Sequence, residues 1–365
     1  MRIFVVVGCG ALGNEVLKNL ALMGAERLVI VDFDYVEEVN LGRSVLFRRE
    51  DIGRPKVDAA RDGIRRLNPD VEVIAINGDI AYDVGIGLLR EADAVIGCVD
   101  SRWARYCINR LAFRAGRKWV DGGIFGLTGT ARVFSLGKSC YACSLSTDEM
   151  NELKRRMPCL GVIRRTLESG HAPTTSIVAS VIGAIEAQEA TKISLSRCSN
   201  IEEIATTTLE GRMAVYEGEA MDMKVVRFEA YDEDCPCHEE WVPVVKTDIS
   251  VDMTVGEVLK RFSSFELRDD CFVDYIVSRR DDAKYEVMLA GRFVADFVQN
   301  DRVLGQLPLG EYYQNEYRKV DGMFPYPELT LKMLGVTTRD VLRAYICRDD
   351  DDGVCSVTET FIELR

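Results

Sequence analysis

Through its first hundred residues the chain alternates short apolar runs with stretches whose apolar positions recur at helical spacing. Residues 3–7, 28–31, 71–76 and 94–99 are rich in aliphatic side chains and read as buried strands. Between the first two, Leu12, Val16, Leu20 and Met23 return every three or four residues, and Gly24 stands where a helix end favours a left-handed residue. Strand, helix and strand are therefore complete by Asp32, and repetition of that unit predicts a parallel, doubly wound α/β sheet of the Rossmann-like kind.

Further strands are expected at 119–120 and 131–136. From 144 to 175 the chain turns polar, basic and irregular, which predicts a long functional loop crossing between elements. A helix follows over 176–192, and its small residues Ala179, Ser180, Gly183, Ala184 and Ala187 predict burial with a close neighbour. Two β-like runs between 213 and 231 predict an antiparallel pair that ends at Cys235-Pro-Cys237. There the texture changes, so residues 1–240 and 241–365 are expected to be separate domains. In the second, Thr254-Val-Gly-Glu257 has the form of a capping box opening a short helix over 255–262, and apolar runs at 341–346 and 354–364 close a small α+β module.

A length of 365 residues agrees with two domains. The net charge of −13 excludes broad electrostatic binding to nucleic acid or to an anionic membrane, because both need a basic surface. No apolar stretch is long enough to span a bilayer. The amino-terminal residues run straight into a strand and carry no export-signal pattern, so a reducing cytoplasm is expected. The twelve cysteines then read as thiols, metal ligands or a nucleophile rather than as a disulfide framework.

Gly8-Cys-Gly10-Ala-Leu-Gly13 follows a strand and opens a helix, where glycines let backbone amides approach a phosphate. Asp32 ends the next strand, nineteen residues beyond Gly13, at the place where a carboxylate accepts ribose hydroxyls. Taken alone, these residues suit an NAD-dependent dehydrogenase. The next set points elsewhere: Asn40-Leu-Gly-Arg43, Gly53-Arg-Pro-Lys56, and Cys98-Val-Asp100-Ser101 followed by Arg105 and Asn109. Attack of a carboxylate on an α-phosphate builds charge on the phosphoryl group and on departing pyrophosphate. Arg43 and Lys56 supply cations for that charge. Asp100, expected at the carboxyl end of a strand, is suited to holding Mg²⁺.

In this order the motifs resemble the ubiquitin-activating (E1-like) enzymes and their bacterial relatives that adenylate the molybdopterin and thiamine sulfur carriers. The resemblance covers about residues 1–240. It implies that Gly8, Gly10 and Gly13 line ATP, that Asp32 takes the ribose, that Asn40, Arg43 and Lys56 contact phosphates, and that Asp100, with Ser101 beside it, binds Mg²⁺. Ala11 departs from the glycine usual in the family. Relatives also commonly carry an amino-terminal helix whose arginine reaches the nucleotide of the paired subunit. This chain begins almost at its first strand, so Arg48 or Arg49 is expected to substitute, and a homodimer is the implied assembly.

Cys140-Tyr-Ala-Cys143 and Cys235-Pro-Cys237 together suggest a structural zinc site. The second pair is one residue shorter than the family's C-x-x-C, so the fourth ligand is Cys237 or, in its place, His238, with four cysteines the favoured set. Cys159 lies in the irregular loop among Lys154, Arg155, Arg156, Arg164 and Arg165, cations that favour a nucleophilic thiolate. The resemblance implies a thioester there. Cys9, Cys98 and Cys107 are expected to be packing residues, and His171 a loop residue. The module after 241 looks similar to a β-grasp, ubiquitin-fold domain, which implies recruitment of a conjugating enzyme. The sequence thus predicts ATP-dependent adenylation of a ubiquitin-like protein followed by thioester transfer. Adenylation of a sulfur carrier or peptide without thioester transfer is the alternative, and a nucleotide-binding scaffold without turnover the third reading.

Overall fold

β1 (Ile3–Val7) is buried at every position, as an apolar run flanked by strands on both sides must be. A computed structural model describes residues 2–155, 175–197, 207–228, 231–267, 275–279, 285–289, 292–296, 313–316, 319–324, 326–349 and 355–365. It divides into two compact units, one of Met1–Met150 with Gly170–Glu240 and the other of Asn151–Ser169 with Trp241–Arg365. Among the described residues no helix is long and apolar enough to cross a membrane.

In the first unit, β1 is followed by α1 (Ala11–Leu22) and β2 (Arg27–Asp32). α1 ends in a Schellman arrangement: Gly24 sits at φ +76°, its amide donates to the Ala21 carbonyl, and the Ala25 amide donates to that of Leu20. α2 (Lys56–Leu67), β3 (Glu72–Asn77), α3 (Ile86–Glu91), β4 (Ala94–Gly97) and α4 (Arg102–Arg114) continue the alternation. β5 (Trp119–Phe125) and β6 (Thr128–Phe134) form a hairpin, α5 (Thr147–Arg155) and α6 (Ser176–Ser196) follow, and β7 (Arg212–Glu217) and β8 (Asp222–Arg227) form a second hairpin. The eight strands make one sheet in the order β3-β2-β1-β4-β5-β6-β7-β8, parallel from β3 to β5 and antiparallel from there to β8. This is the doubly wound sheet the sequence predicts, extended by an antiparallel wing.

Two elements differ from expectation. The β5–β6 hairpin is longer than its apolar segments, because Gly122, Gly123 and Gly129 carry no side chain to reveal a period, yet glycine is what the packing requires. A Cβ at Gly129 would lie 2.3 Å from Ile182 of α6, and one at Gly122 would lie 2.4 Å from Glu186. The irregular loop expected from 144 opens instead with α5. Its start is a capping box: Glu149 accepts hydrogen bonds from the Ser146 amide and hydroxyl at 2.9 Å, while the Ser146 hydroxyl accepts from the Glu149 amide.

The second unit holds β9 (Val244–Lys246), α7 (Val255–Leu259) and β10 (Ser264–Glu266), then β11 (Tyr275–Arg279), β12 (Tyr285–Leu289), β13 (Arg292–Asp296) and β14 (Tyr313–Glu316). β15 (Lys319–Asp321), β16 (Val341–Asp349) and β17 (Cys355–Glu363) complete it. The expected capping box is formed, with the Thr254 amide donating to Glu257 at 2.8 Å, although the helix closes at Leu259. A mixed five-stranded sheet has the order β15-β10-β16-β17-β9, its β17–β9 pair parallel. Strands β13-β12-β11-β14 form a separate antiparallel sheet inserted between β10 and β15, an element the sequence did not reveal. Cys347 is disulfide-bonded, which corrects the reading of all twelve cysteines as thiols, ligands or a nucleophile.

Candidate active site

The glycine turn lies at the carboxyl end of β1, where open parallel sheets bind ligands. Gly8 adopts φ +96° and its amide donates to the Val31 carbonyl at 2.8 Å. A Cβ there would lie 2.4 Å from the Cys98 carbonyl oxygen, so the turn rests directly on the end of β4. Gly13 is still tighter, because a Cβ would lie 1.9 Å from the Gly8 carbonyl oxygen. Gly10 faces open space and heads α1, leaving the first helical amides without a side-chain cap.

Asp32 closes this turn. Its carboxylate accepts the Cys9 amide at 2.6 Å and the Asp34 amide at 2.8 Å. Burial raises its pKa, against the opposing pull of Lys56 and of those two amides. Lys56, at the start of α2, donates to Asp34 at 2.8 Å. Burial alone would lower the Lys56 pKa, but Asp32 and Asp34 together outweigh it and the net shift is upward. Turn, carboxylate and lysine thus meet at the ends of β1 and β2.

Asn40 is buried, and its side-chain oxygen accepts the Glu37 amide at 2.9 Å. Arg43 follows in the same tight turn and is half-buried. Arg48 and Arg49 are exposed, and Arg49 reaches Glu38 at 3.4 Å. Asp100 is exposed just beyond β4, and its carboxylate makes no hydrogen bond or ion pair with another described residue, which leaves its oxygens open to a hard cation. Ser101 caps α4, its hydroxyl accepting the Ala104 amide at 3.3 Å. Cys159 and His171 lie outside the described residues. Cys9, Cys98 and Cys107 are buried.

Two residues that hold this site together escaped sequence reasoning. Asn14, fully buried in α1, donates to the carbonyls of Cys9 and Gly10 and accepts the Leu46 amide at 2.9 Å, tying the glycine turn to the segment carrying Arg43. Asp121 of β5 pairs with Arg105 at 2.7 Å and Arg132 at 2.6 Å, and Arg105 also donates to the Gly122 carbonyl. Arg105 is therefore committed to the scaffold under Asp100.

In the same unit, Cys140, Cys143, Cys235 and His238 bring three sulfurs and one imidazole nitrogen within 4.8 Å of one another. Cys143 Sγ stands 3.2 Å from His238 Nε2, and Cys140 Sγ stands 3.7 Å from Cys235 Sγ. These spacings suit four ligands around one tetrahedral ion, and the donor set suits zinc. The geometric cluster holds the alternative ligand His238 in place of the favoured Cys237, which is buried with its thiol hydrogen-bonded to Cys235 and near Tyr106 and Arg110. His238 reaches the cluster from the next position, stacked on Tyr231 at 4.9 Å.

The ThiF family model matches residues 2–237. The chain belongs to the ThiF family. It is 29% identical over 243 residues to the SAMP-activating enzyme E1 of Haloferax volcanii, covering 66% of this chain and 82% of that one. It is 33% identical over 198 residues to the sulfur carrier protein adenylyltransferase of Thermus thermophilus, covering 52% and 68% respectively. Against the adenylyltransferase and sulfurtransferase MOCS3-1 of Zea mays it is 29% identical, and it spans 45% of that longer protein. Among solved structures, E. coli MccB with ATP shares the fold at a TM-score of 0.50 and 20% identity, over 65% of this chain and 66% of that one. The ThiF match ends at Cys237, so the unit from Trp241 onward lies outside it.

Proposed function

We propose that this chain is an ATP-dependent adenylyltransferase acting on the C-terminal carboxylate of a ubiquitin-like or sulfur-carrier protein. The observation that carries the reading is the convergence of the glycine turn, Asp32 and Lys56 beside an uncommitted Asp100 at the carboxyl ends of β1, β2 and β4. The relatives named for activating or adenylating small carrier proteins support it.

Chemically, a carboxylate oxygen of the carrier attacks the α-phosphorus of ATP. The new O–P bond makes an acyl-adenylate, and the bond to the β-phosphate breaks with its electron pair leaving on pyrophosphate. The attacking group enters ionised, so no proton need move. Gly8, Gly10 and Gly13 admit the phosphates, Asp32 holds the ribose, and Lys56 and Arg43, with Asn40 nearby, balance the charge that grows in the transition state. Asp100 would hold Mg²⁺, which neutralises phosphate charge when bound. Cys140, Cys143, Cys235 and His238 would hold zinc as a structural clip between distant segments. A homodimer, in the family manner, is part of the proposal.

Thioester transfer through Cys159 to a conjugating enzyme is a second reading, favoured by the cations around Cys159 in sequence and by the mixed-sheet unit after Trp241. One experiment separates the two. The protein is incubated with ATP, Mg²⁺ and a carrier ending in Gly-Gly, and pyrophosphate exchange is followed together with any reductant-sensitive adduct. Exchange without an adduct supports carrier adenylation alone. An adduct that Cys159→Ala abolishes while sparing exchange supports the relay. No exchange with any carrier rejects both.

A further inference from the structure

Behind the nucleotide turn lies an acidic side chain that the proposed chemistry does not use. Glu186, in the middle of α6, is fully buried. Its carboxyl packs against Gly122 of β5 so closely that a Cβ on that glycine would lie 2.4 Å from it. Among the described residues its one hydrogen-bonding partner is the thiol of Cys98, 3.9 Å from both carboxyl oxygens. Cys98 in turn supports the glycine turn: its carbonyl lies under Gly8, its Cβ would stand 3.5 Å from a Cβ at Gly13, and two residues further on is Asp100.

The charges facing this pocket do not compensate an ionised Glu186. From β5 comes Asp121, a like charge already shared between Arg105 of α4 and Arg132 of β6. α1 contributes Glu15, whose Cβ would stand 2.7 Å from a Cβ at Gly183 and which is paired with Lys18. β4 offers only the Cys98 thiol. On α6 itself, Glu189 is bound to Lys192 at 2.5 Å and to the Leu209 amide. Arg105 is the one cation whose charge reaches Glu186, and it is already paired with Asp121 at 2.7 Å, so burial and the like charge of Asp121 outweigh it and the carboxyl keeps its proton. Burial first, then Asp121, hold its pKa well above the usual carboxylate range.

We propose that Glu186 is a positioning residue that ties the seating of the Cys98–Asp100 strand end, and with it the glycine turn, to the retention of one proton. Whenever α6 lifts from β4 and β5, Glu186 meets water and gives that proton up. Opening therefore becomes easier as pH rises above the solvated carboxylate's value, by up to about tenfold per pH unit for as long as the closed state keeps its proton. The nucleotide-binding consequence rests on the adenylation reading, whereas the proton-linked opening does not.

The test compares wild type with Glu186→Gln, which keeps the shape and removes the proton. Amide hydrogen exchange is measured at pH 6 and pH 8 in the peptide spanning residues 94–101, with each rate corrected for intrinsic exchange. The ratio of wild-type to variant opening should grow with pH between the two values, by up to about a hundredfold. A ratio that stays constant overturns the proposal. Urea unfolding over the same range gives a second readout, since the stability advantage of the Gln variant should rise with pH, and parallel curves would also overturn it. ATP titration of both proteins then separates the two ideas. Wild-type affinity falling with pH while the variant holds extends the linkage to the nucleotide. Failure of both proteins to bind ATP rejects the adenylation reading and leaves the exchange result to decide on Glu186.

Discussion

Single atoms decide much of the site. A methyl at Gly13 would press within 1.9 Å of the Gly8 carbonyl, so Gly13→Ala must displace the turn. Overpacking of this kind costs about 1–3 kcal/mol. Gly13→Ala is expected to melt earlier and to lose ATP binding in calorimetric titration, and a variant with unchanged affinity would show that the turn is not where the phosphates sit. At the metal cluster, His238→Ala should carry less than one equivalent of zinc by elemental analysis, whereas Cys237→Ser should keep a full equivalent. The opposite pattern would restore the four-cysteine set. Sequence spacing left this choice open because it counts residues and not directions: in the fold the Cys237 thiol bonds Tyr106 of α4 as well as Cys235, and the His238 imidazole faces Cys143.

At the scale of elements, the segment carrying Asn40 and Arg43 is anchored to α2 by Arg54, which bonds Asp51 at 2.5 Å and Asp62 at 2.6 Å. The Arg54 hydrogen bond lowers the Asp62 pKa. A lowered carboxyl contributes stability above its unfolded value, about 3.9, and loses it as pH falls through the lower folded value. Solvent reaches Arg54, so the whole effect is below ~1 kcal/mol. Asp62→Asn should therefore show a slightly shallower loss of urea stability between about pH 4 and pH 2, and a steeper one would contradict the sign. Between α6 and the sheet, Gly129→Ala brings a Cβ within 2.3 Å of Ile182 and should cost about 1–3 kcal/mol in chemical denaturation. Helices and strands buried on both faces, such as β1, β2, β4 and α1, were legible because apolar residues mark them directly. The β5–β6 hairpin and α5 were not, since glycines hide the period of the first and a polar capping box opens the second.

For the molecule as a whole, the glycine turn, Asp32 and Asp100 could be picked out because each stands next to a strand end that the pattern already fixes, and Lys56 because it opens a helix within the Gly53-Arg-Pro-Lys56 motif. Asn14 and Asp121 could not. Each acts through partners far away in sequence, Leu46 for the one and Arg105 and Arg132 for the other, and only the folded sheet brings them together. The same holds for Glu186, which in sequence is one acid in a helix of small residues. In the second unit the short capped helix and closing strands were legible, whereas the inserted four-stranded sheet was not, since its strands are four or five residues each and too short to show a period. The central claim is that this fold activates a carrier protein's carboxylate with ATP. Its most direct test is ATP–pyrophosphate exchange with a Gly-Gly carrier, run with wild type, Lys56→Ala and Asp100→Ala. Exchange that requires the carrier's free C-terminus and falls by about 10²–10³ in either variant is the predicted result. Exchange indifferent to the carrier, or unchanged in both variants, would contradict it.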